Sequence, residues 1–206
     1  MRKAVYLFAI LISAYAAVSC LKPSDSELLN SVHSDRASKN RLQEKVASAK
    51  AFLHTSGKYN MQLAFFIDMK IPSGKNRFFI YDFQKDSICD QGLVAHGSGS
   101  ETGIPGQLKF SNTSNSLCTS LGKYYIGSSY TGKFGKSNKL HGLDKTNDNA
   151  YSRNVVLHAY EDVPDQEQAQ SICNSFGCPM VNHAFYKRIE KTIEHSEKNI
   201  LLYIYY

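Results

Sequence analysis

The first part of the chain with a clear hydrophobic period lies between about residues 41 and 54. There Leu42, Val46, Ala49 and Leu53 recur at steps of four, three and four, with Phe52 beside them, which puts one apolar stripe on a helix. Residues 21–40 before it are polar, carry a possible capping pair in Ser24 and Glu27, and read as a tether passing into that helix. From Met61 the period shortens. Residues 61–67, 77–83, 93–96, 124–130 and 154–160 are short β-branched or aromatic runs set apart by clusters of Gly, Ser, Asn and Asp. A second amphipathic helix is predicted at about residues 182–196, with Phe185, Ile189 and Ile193 on one side, followed by a strand over 200–206. The expectation is a mainly β domain with a few helices, an α+β fold, over residues 41–206.

The amino terminus has a different pattern. Arg2 and Lys3 precede residues 4–18, which are largely apolar and uncharged, the length and flanks of a secretory signal segment. It ends Ala17-Val18-Ser19-Cys20, which resembles the bacterial lipobox, so residues 1–19 read as a lipoprotein signal peptide and Cys20 as the lipidated residue. Several acyl chains on one residue hold a protein firmly at a membrane, because each buried methylene contributes about 0.8 kcal/mol. The domain is therefore expected in an extracytoplasmic space. Leu21 is not the aspartate associated with inner-membrane retention, which favours the periplasmic side of an outer membrane.

Composition narrows the class. With 42% hydrophobic and 20% charged residues, 13 Gly and 5 Pro in 206 residues, the chain is ordinary globular protein, which excludes disorder, collagen and coiled coil. Without Arg2 and Lys3 the balance is 22 basic against 18 acidic residues, and an excess of four charges does not argue for a nucleic-acid partner.

The stretch that carries chemistry runs from Val155-Val156-Leu157-His158 to Ser175-Phe176-Gly177-Cys178-Pro179. A cysteine nucleophile needs a nearby base, and a histidine on a strand supplies one from a rigid platform. Gly177 lets the backbone approach a substrate carbonyl, and the amides of the turn suit an oxyanion. Spacing alone also fits a buried structural cysteine and a core histidine. Here, however, sixteen residues separate His158 from Ser175. A histidine, a gap of that order, then Ser or Thr, any residue, Gly and Cys is the signature of the murein L,D-transpeptidase catalytic domain, the YkuD-like fold. The chain resembles the divergent lipoprotein or secreted branch of that family over most of its length. Arg77-Phe78-Phe79-Ile80-Tyr81-Asp82, Val94-Ala95-His96-Gly97-Ser98-Gly99, Phe110-Ser111-Asn112, Ser120-Leu121-Gly122-Lys123-Tyr124, Asn147-Asp148-Asn149-Ala150 and Ile204-Tyr205-Tyr206 are all similar to it.

The resemblance implies a β-sandwich or barrel catalytic domain that cleaves the bond between the L-centre and D-alanine of a peptidoglycan stem tetrapeptide. Cys178 matches the nucleophile and His158 the residue that activates it. The Ala159 backbone carbonyl matches the third partner, Gly177 would give its amide to the oxyanion, and Ser175 belongs to the nucleophile turn. The thioester would pass to an amine, or to water in a carboxypeptidase, with no cofactor or metal, and a carbapenem would acylate the same sulfur. The family pattern usually has a histidine where Phe176 stands and glycine where Ala159 stands. It often places Arg or Asn shortly after the cysteine, where Pro179, Met180 and Val181 follow and Asn182 is a weak substitute. These departures keep open a catalytically weak peptidoglycan-binding lipoprotein of the same fold.

His96, Asn112 and Tyr130 are further candidates to line a substrate cleft, each with a structural reading beside it. His141 does not fall on a histidine of the family motif. Cys173, Cys178, His158 and His183 could in principle be four zinc ligands, but Cys-x₄-Cys is loose for a structural site. Cys89, Cys118 and Cys173 are then an odd set that allows at most one disulfide, with no pairing favoured by the sequence.

Overall fold

Phe65 and Phe66 are neighbours in sequence, both completely buried, and packed into different cores. That is the period of two of a strand covered on both faces. In the computed structural model, which describes residues 25–133 and 135–206, they lie on β1 (Leu63–Asp68), inside one mixed sheet. The signal-like segment and Cys20 lie outside the described residues. Helix α1 (Asp25–Ser56) starts well before the expected stripe. The sequence of residues 25–40 is mostly polar, and its few apolar residues do not recur at a helical period by which a helix could be read. Residues 36–206 form one compact unit.

On one face, Leu42, Val46, Ala49 and Leu53 of α1 pack with Ala64, Phe66, Phe79, Tyr81, Leu201 and Tyr205. Arg41 anchors the helix to the fully buried Asp68, with Nη2 to Oδ2 at 2.9 Å. The other core joins Phe65, Ile67, Phe78 and Ile80 to Phe185 and Ile189 of α2 (His183–Glu194). The remaining strands are β2 (Phe78–Asp82), β3 (Ser87–Gly92), β4 (Gly122–Gly132), β5 (Gly135–Gly142), β6 (Val156–Ala159), β7 (Met180–Val181) and β8 (Leu201–Tyr205). Their order is β3-β2-β1-β8-β4-β5-β6-β7, with β8 parallel to β1 and antiparallel to β4, and β7 parallel to β6.

The segment expected as a strand over 93–96 instead ties the two ends of this sheet together. Leu93, Val94 and Ala95 are completely buried, Ala95 bridges Met180 of β7, and Gly97 bridges Ser175. Since β7 is only two residues long, it offers this segment a single bridge and no ladder. The chain leaving one edge strand, β3, thus docks on the other, β7, and gives the sheet a barrel-like closure where the turn that bears Cys178 enters.

Candidate active site

Strand β6 delivers His158. It is 1% exposed, pairs with Ser137 on one side and Met180 on the other, and its Nδ1 lies 2.9 Å from the carbonyl oxygen of Ala159. A carbonyl can only accept, so Nδ1 carries the proton and Nε2 is left with its lone pair, the tautomer a general base requires. Cys178 immediately precedes Pro179 and β7. Its Sγ accepts from the Val156 amide at 3.4 Å and faces the Asn154 carbonyl oxygen at 3.8 Å. Sulfur and imidazole are therefore borne by adjacent parallel segments.

Burial sets the resting protonation of both groups. It lowers the His158 pKa, with the Ala159 carbonyl working the other way. It raises the Cys178 thiol, against the opposing effects of the Val156 amide and the charges of Arg153 and Lys139. The resting pair is a neutral thiol and a neutral imidazole.

The turn before Cys178 is shaped by Ser175, whose Oγ accepts from the Gly177 amide at 3.1 Å. Gly177 has φ +116°, and a Cβ there would lie 3.0 Å from the Cys118 carbonyl oxygen, so both conformation and space call for glycine. Phe176 points outward, 78% exposed. Behind the turn, Arg153 donates to the carbonyls of Ser111 at 3.0 Å and Cys118 at 2.7 Å and to the hydroxyl of Ser120 at 2.5 Å. It thereby pins the backbone on which Gly177 rests. Lys139 Nζ sits 3.1 Å from Asn154 Oδ1 and within 5.1 and 5.6 Å of the Tyr130 and Tyr151 ring centroids. Among the described residues neither cation has a carboxylate at ion-pair distance, which leaves a net positive field around the sulfur.

A family model described as the L,D-transpeptidase catalytic domain, YkuD_2, matches residues 33–205. This chain belongs to that family. Solved structures similar to the domain include the L,D-transpeptidase of Xylanimonas cellulosilytica, at 11% identity and TM-score 0.40, covering 70% of this chain and 60% of that one. Bd1075 of Bdellovibrio bacteriovorus has 13% identity and TM-score 0.43 over 70% of this chain and 48% of that one. The helical cell shape determining protein Pgp2 of Campylobacter jejuni has 10% identity and TM-score 0.44 over 69% and 47%. The chain thus spans less than two thirds of each of these structures. None of the curated proteins matches it.

The other sequence candidates of this L,D-transpeptidase domain fall in varied places. His96 is 4% exposed, with one ring nitrogen against Arg77 and the other against Glu101, so its ring has no nitrogen to offer a substrate. Asn182 caps α2, its Oδ1 accepting from the Phe185 amide at 2.7 Å and its Nδ2 donating to the Pro164 carbonyl. Asn112 donates to Asp148 Oδ1 at 2.6 Å and stitches two loops. Tyr130, 39% exposed, lies under Lys139 and so is tied to the surroundings of Cys178. His141 is stacked between Tyr125 and Tyr151, with centroids at 4.3 and 4.7 Å.

Cys89, Cys118, Cys173 and Cys178 are all free thiols. No three His, Cys, Asp or Glu side chains gather as a metal site among the described residues, and the four zinc candidates are not such a group. Arg153, Lys139 and Asn154 escaped the sequence reading. The only signal for Arg153 was a cation five residues before His158, which a surface arginine would give equally well.

Proposed function

We propose that this domain is a peptidoglycan L,D-transpeptidase or L,D-carboxypeptidase that works through a thioester on Cys178. The observation that carries the reading is the hydrogen bond from His158 Nδ1 to the Ala159 carbonyl, which fixes a base-competent tautomer on the strand beside Cys178. Sγ attacks the carbonyl carbon of the L-centre in the third residue of a stem tetrapeptide, and its proton passes to His158 Nε2. The tetrahedral oxyanion is stabilised by amides of the nucleophile turn. Cys178 and Gly177 are the candidates, the latter once its amide leaves Ser175 Oγ, and losing one such donor typically costs about 10²- to 10³-fold in rate. The C–N bond then breaks, D-alanine departs with the proton from His158, and an amine or water attacks the thioester while His158 takes a proton again. The uncompensated cations Arg153 and Lys139 favour the anionic sulfur and a substrate bearing a carboxylate. We further propose that Cys20 is lipidated and holds the domain at a membrane facing the cell wall.

The test is to incubate the domain lacking residues 1–20 with a disaccharide tetrapeptide and to follow products and Cys178 by mass spectrometry. A crosslinked dimer or a tripeptide, a transient acyl adduct on Cys178 and a stable carbapenem adduct are expected in the wild type, and none in a folded Cys178→Ala protein. Turnover that survives Cys178→Ala would overturn the mechanism. A second reading, a weakly catalytic peptidoglycan binder, is favoured by one observation: Asn182, the substitute for the residue that would hold the substrate carboxylate, is spent on capping α2 and on the Pro164 carbonyl. It predicts sacculus binding without product or adduct.

A further inference from the structure

Arg77 is the largest completely buried side chain of the domain, and the thiol chemistry does not use it. Its Nε and Nη2 donate to the Val94 carbonyl at 2.9 and 2.7 Å, its Nη1 donates to the Ile71 carbonyl at 3.2 Å, and Nη2 also lies 2.9 Å from His96 Nδ1. A guanidinium only donates, so His96 Nδ1 accepts and the single ring proton sits on Nε2. That proton is donated to Glu101 Oε1 at 2.8 Å, and the same oxygen accepts from Asn174 Nδ2 at 3.4 Å. The backbone continues the connection. The Ser175 amide donates to the His96 carbonyl and the Ser98 amide to the Ser175 carbonyl, both at 2.8 Å. A Cβ on Gly97 would lie 2.9 Å from the Gly177 Cα, so the two segments are in close contact.

We propose that His96 and Glu101 are positioning residues that clamp the nucleophile turn, and that the clamp holds only while the His96 ring is neutral. Glu101 grips the turn at Asn174, and the His96 backbone grips it at Ser175. The ring that joins these two grips is anchored on Arg77. Protonating the ring places an N–H opposite the Arg77 donors, so a hydrogen bond becomes a contact between two cations. The groups that face this ring are Arg77 on one side and Glu101 on the other, with the buried Asp68 acting on Arg77 from behind. Burial and the Arg77 charge hold the ring neutral, and Glu101 opposes them.

This inference takes Cys178 as the nucleophile, but its first test does not need turnover. Hydrogen exchange of peptides covering residues 93–101 and 171–180 is measured against pH, corrected for intrinsic chemistry, in the full domain and in Glu101→Ala and Glu101→Gln. The Glu101 side chain is 47% exposed, so its removal leaves the core intact. Glu101→Ala is expected to speed exchange at Ser98 and Ser175 about tenfold, the scale of one charge-assisted hydrogen bond, while Glu101→Gln keeps wild-type protection at neutral pH. Acid should loosen the same two peptides in the wild type. In Glu101→Gln that loosening should move to lower pH, because the charge favouring ring protonation is gone. A purely structural contact would not produce that movement. On a stem tetrapeptide, Glu101→Ala is expected to lower kcat about tenfold with KM held, and Glu101→Gln to restore it.

Unchanged exchange in Glu101→Ala, an acid response that does not move in Glu101→Gln, or wild-type kcat in Glu101→Ala would each overturn the clamp. Exchange that behaves as expected in a protein that never turns over substrate would leave the clamp standing and sink the enzymatic reading instead.

Discussion

Two histidines of this domain carry their one proton on opposite ring nitrogens, each decided by a partner whose hydrogen-bonding role is fixed. Ala159 can only accept and puts the proton of His158 on Nδ1, whereas Arg77 can only donate and puts that of His96 on Nε2. The first ring therefore carries its lone pair on Nε2 and the second on Nδ1, where Arg77 donates to it. Lys139 belongs to the same scale, because its charge opposes the effect of burial on the Cys178 thiol. Lys139→Met retains a stem over the Tyr130 and Tyr151 rings and removes the charge. Alkylation of Cys178 at pH 7.5 is expected to slow about twofold, the scale of one screened charge, with the rate profile displaced to higher pH. Anionic iodoacetate should lose more than neutral iodoacetamide, and equal rates for both reagents in variant and wild type would show that the charge does not act at the sulfur.

At the scale of elements, α2 depends on its first turn. Asn182→Ala removes the side chain that caps the Phe185 amide and also frees the Pro164 carbonyl. The expected cost is about 1 kcal/mol, read as a drop of about 2–4 °C in Tm, and an unchanged melt would deny the cap its role. The elements readable from sequence were those with an apolar period. The stripe Leu42, Val46, Ala49, Leu53 does face a core, and the runs that became β1, β2, β4, β6 and β8 were all visible. Strand β5 was not, because two of the three residues it buries are polar and leave Leu140 without an apolar partner at a period of two. Ser137 and Asn138 are 1% and 3% exposed, the latter satisfied by the Tyr186 hydroxyl at 2.8 Å, a pairing that only the folded chain creates. Strand β3 lies at the sheet edge with mostly exposed side chains and gives no alternation. The candidate site was legible in the same uneven way. The motif named Cys178 and His158, but Lys139 and Glu101 come from segments distant in sequence, and Arg153, though only five residues before His158, carries no signal that a surface arginine would not give.

For the whole molecule, acid is expected to weaken the fold. His96 and His158 both have pKa values lowered from 6.5, chiefly by burial. The unfolded chain therefore binds protons near pH 6.5 that the native state does not, so stability is full above that pH and declines as pH falls towards the lowered native values. Each ring contributes a slope of at most about 1.4 kcal/mol per pH unit. Urea unfolding at pH 7.5, 6 and 5 should show this loss, and His96→Asn should make it shallower; a midpoint independent of pH across that range would contradict it.

The position of β8 has a consequence for how the protein is made. The sheet divides into β1–β3 on one side and β4–β7 on the other, and the strand that joins them comes latest of the eight in chain order. During synthesis two half-sheets must wait with open edges, each a template for the wrong partner, until residues 201–205 are supplied. The parallel edge of β1 and the antiparallel edge of β4 are then filled by the same five residues. A ribosome stalled before Leu201 would hold every residue of the thiol centre without a continuous sheet to carry it.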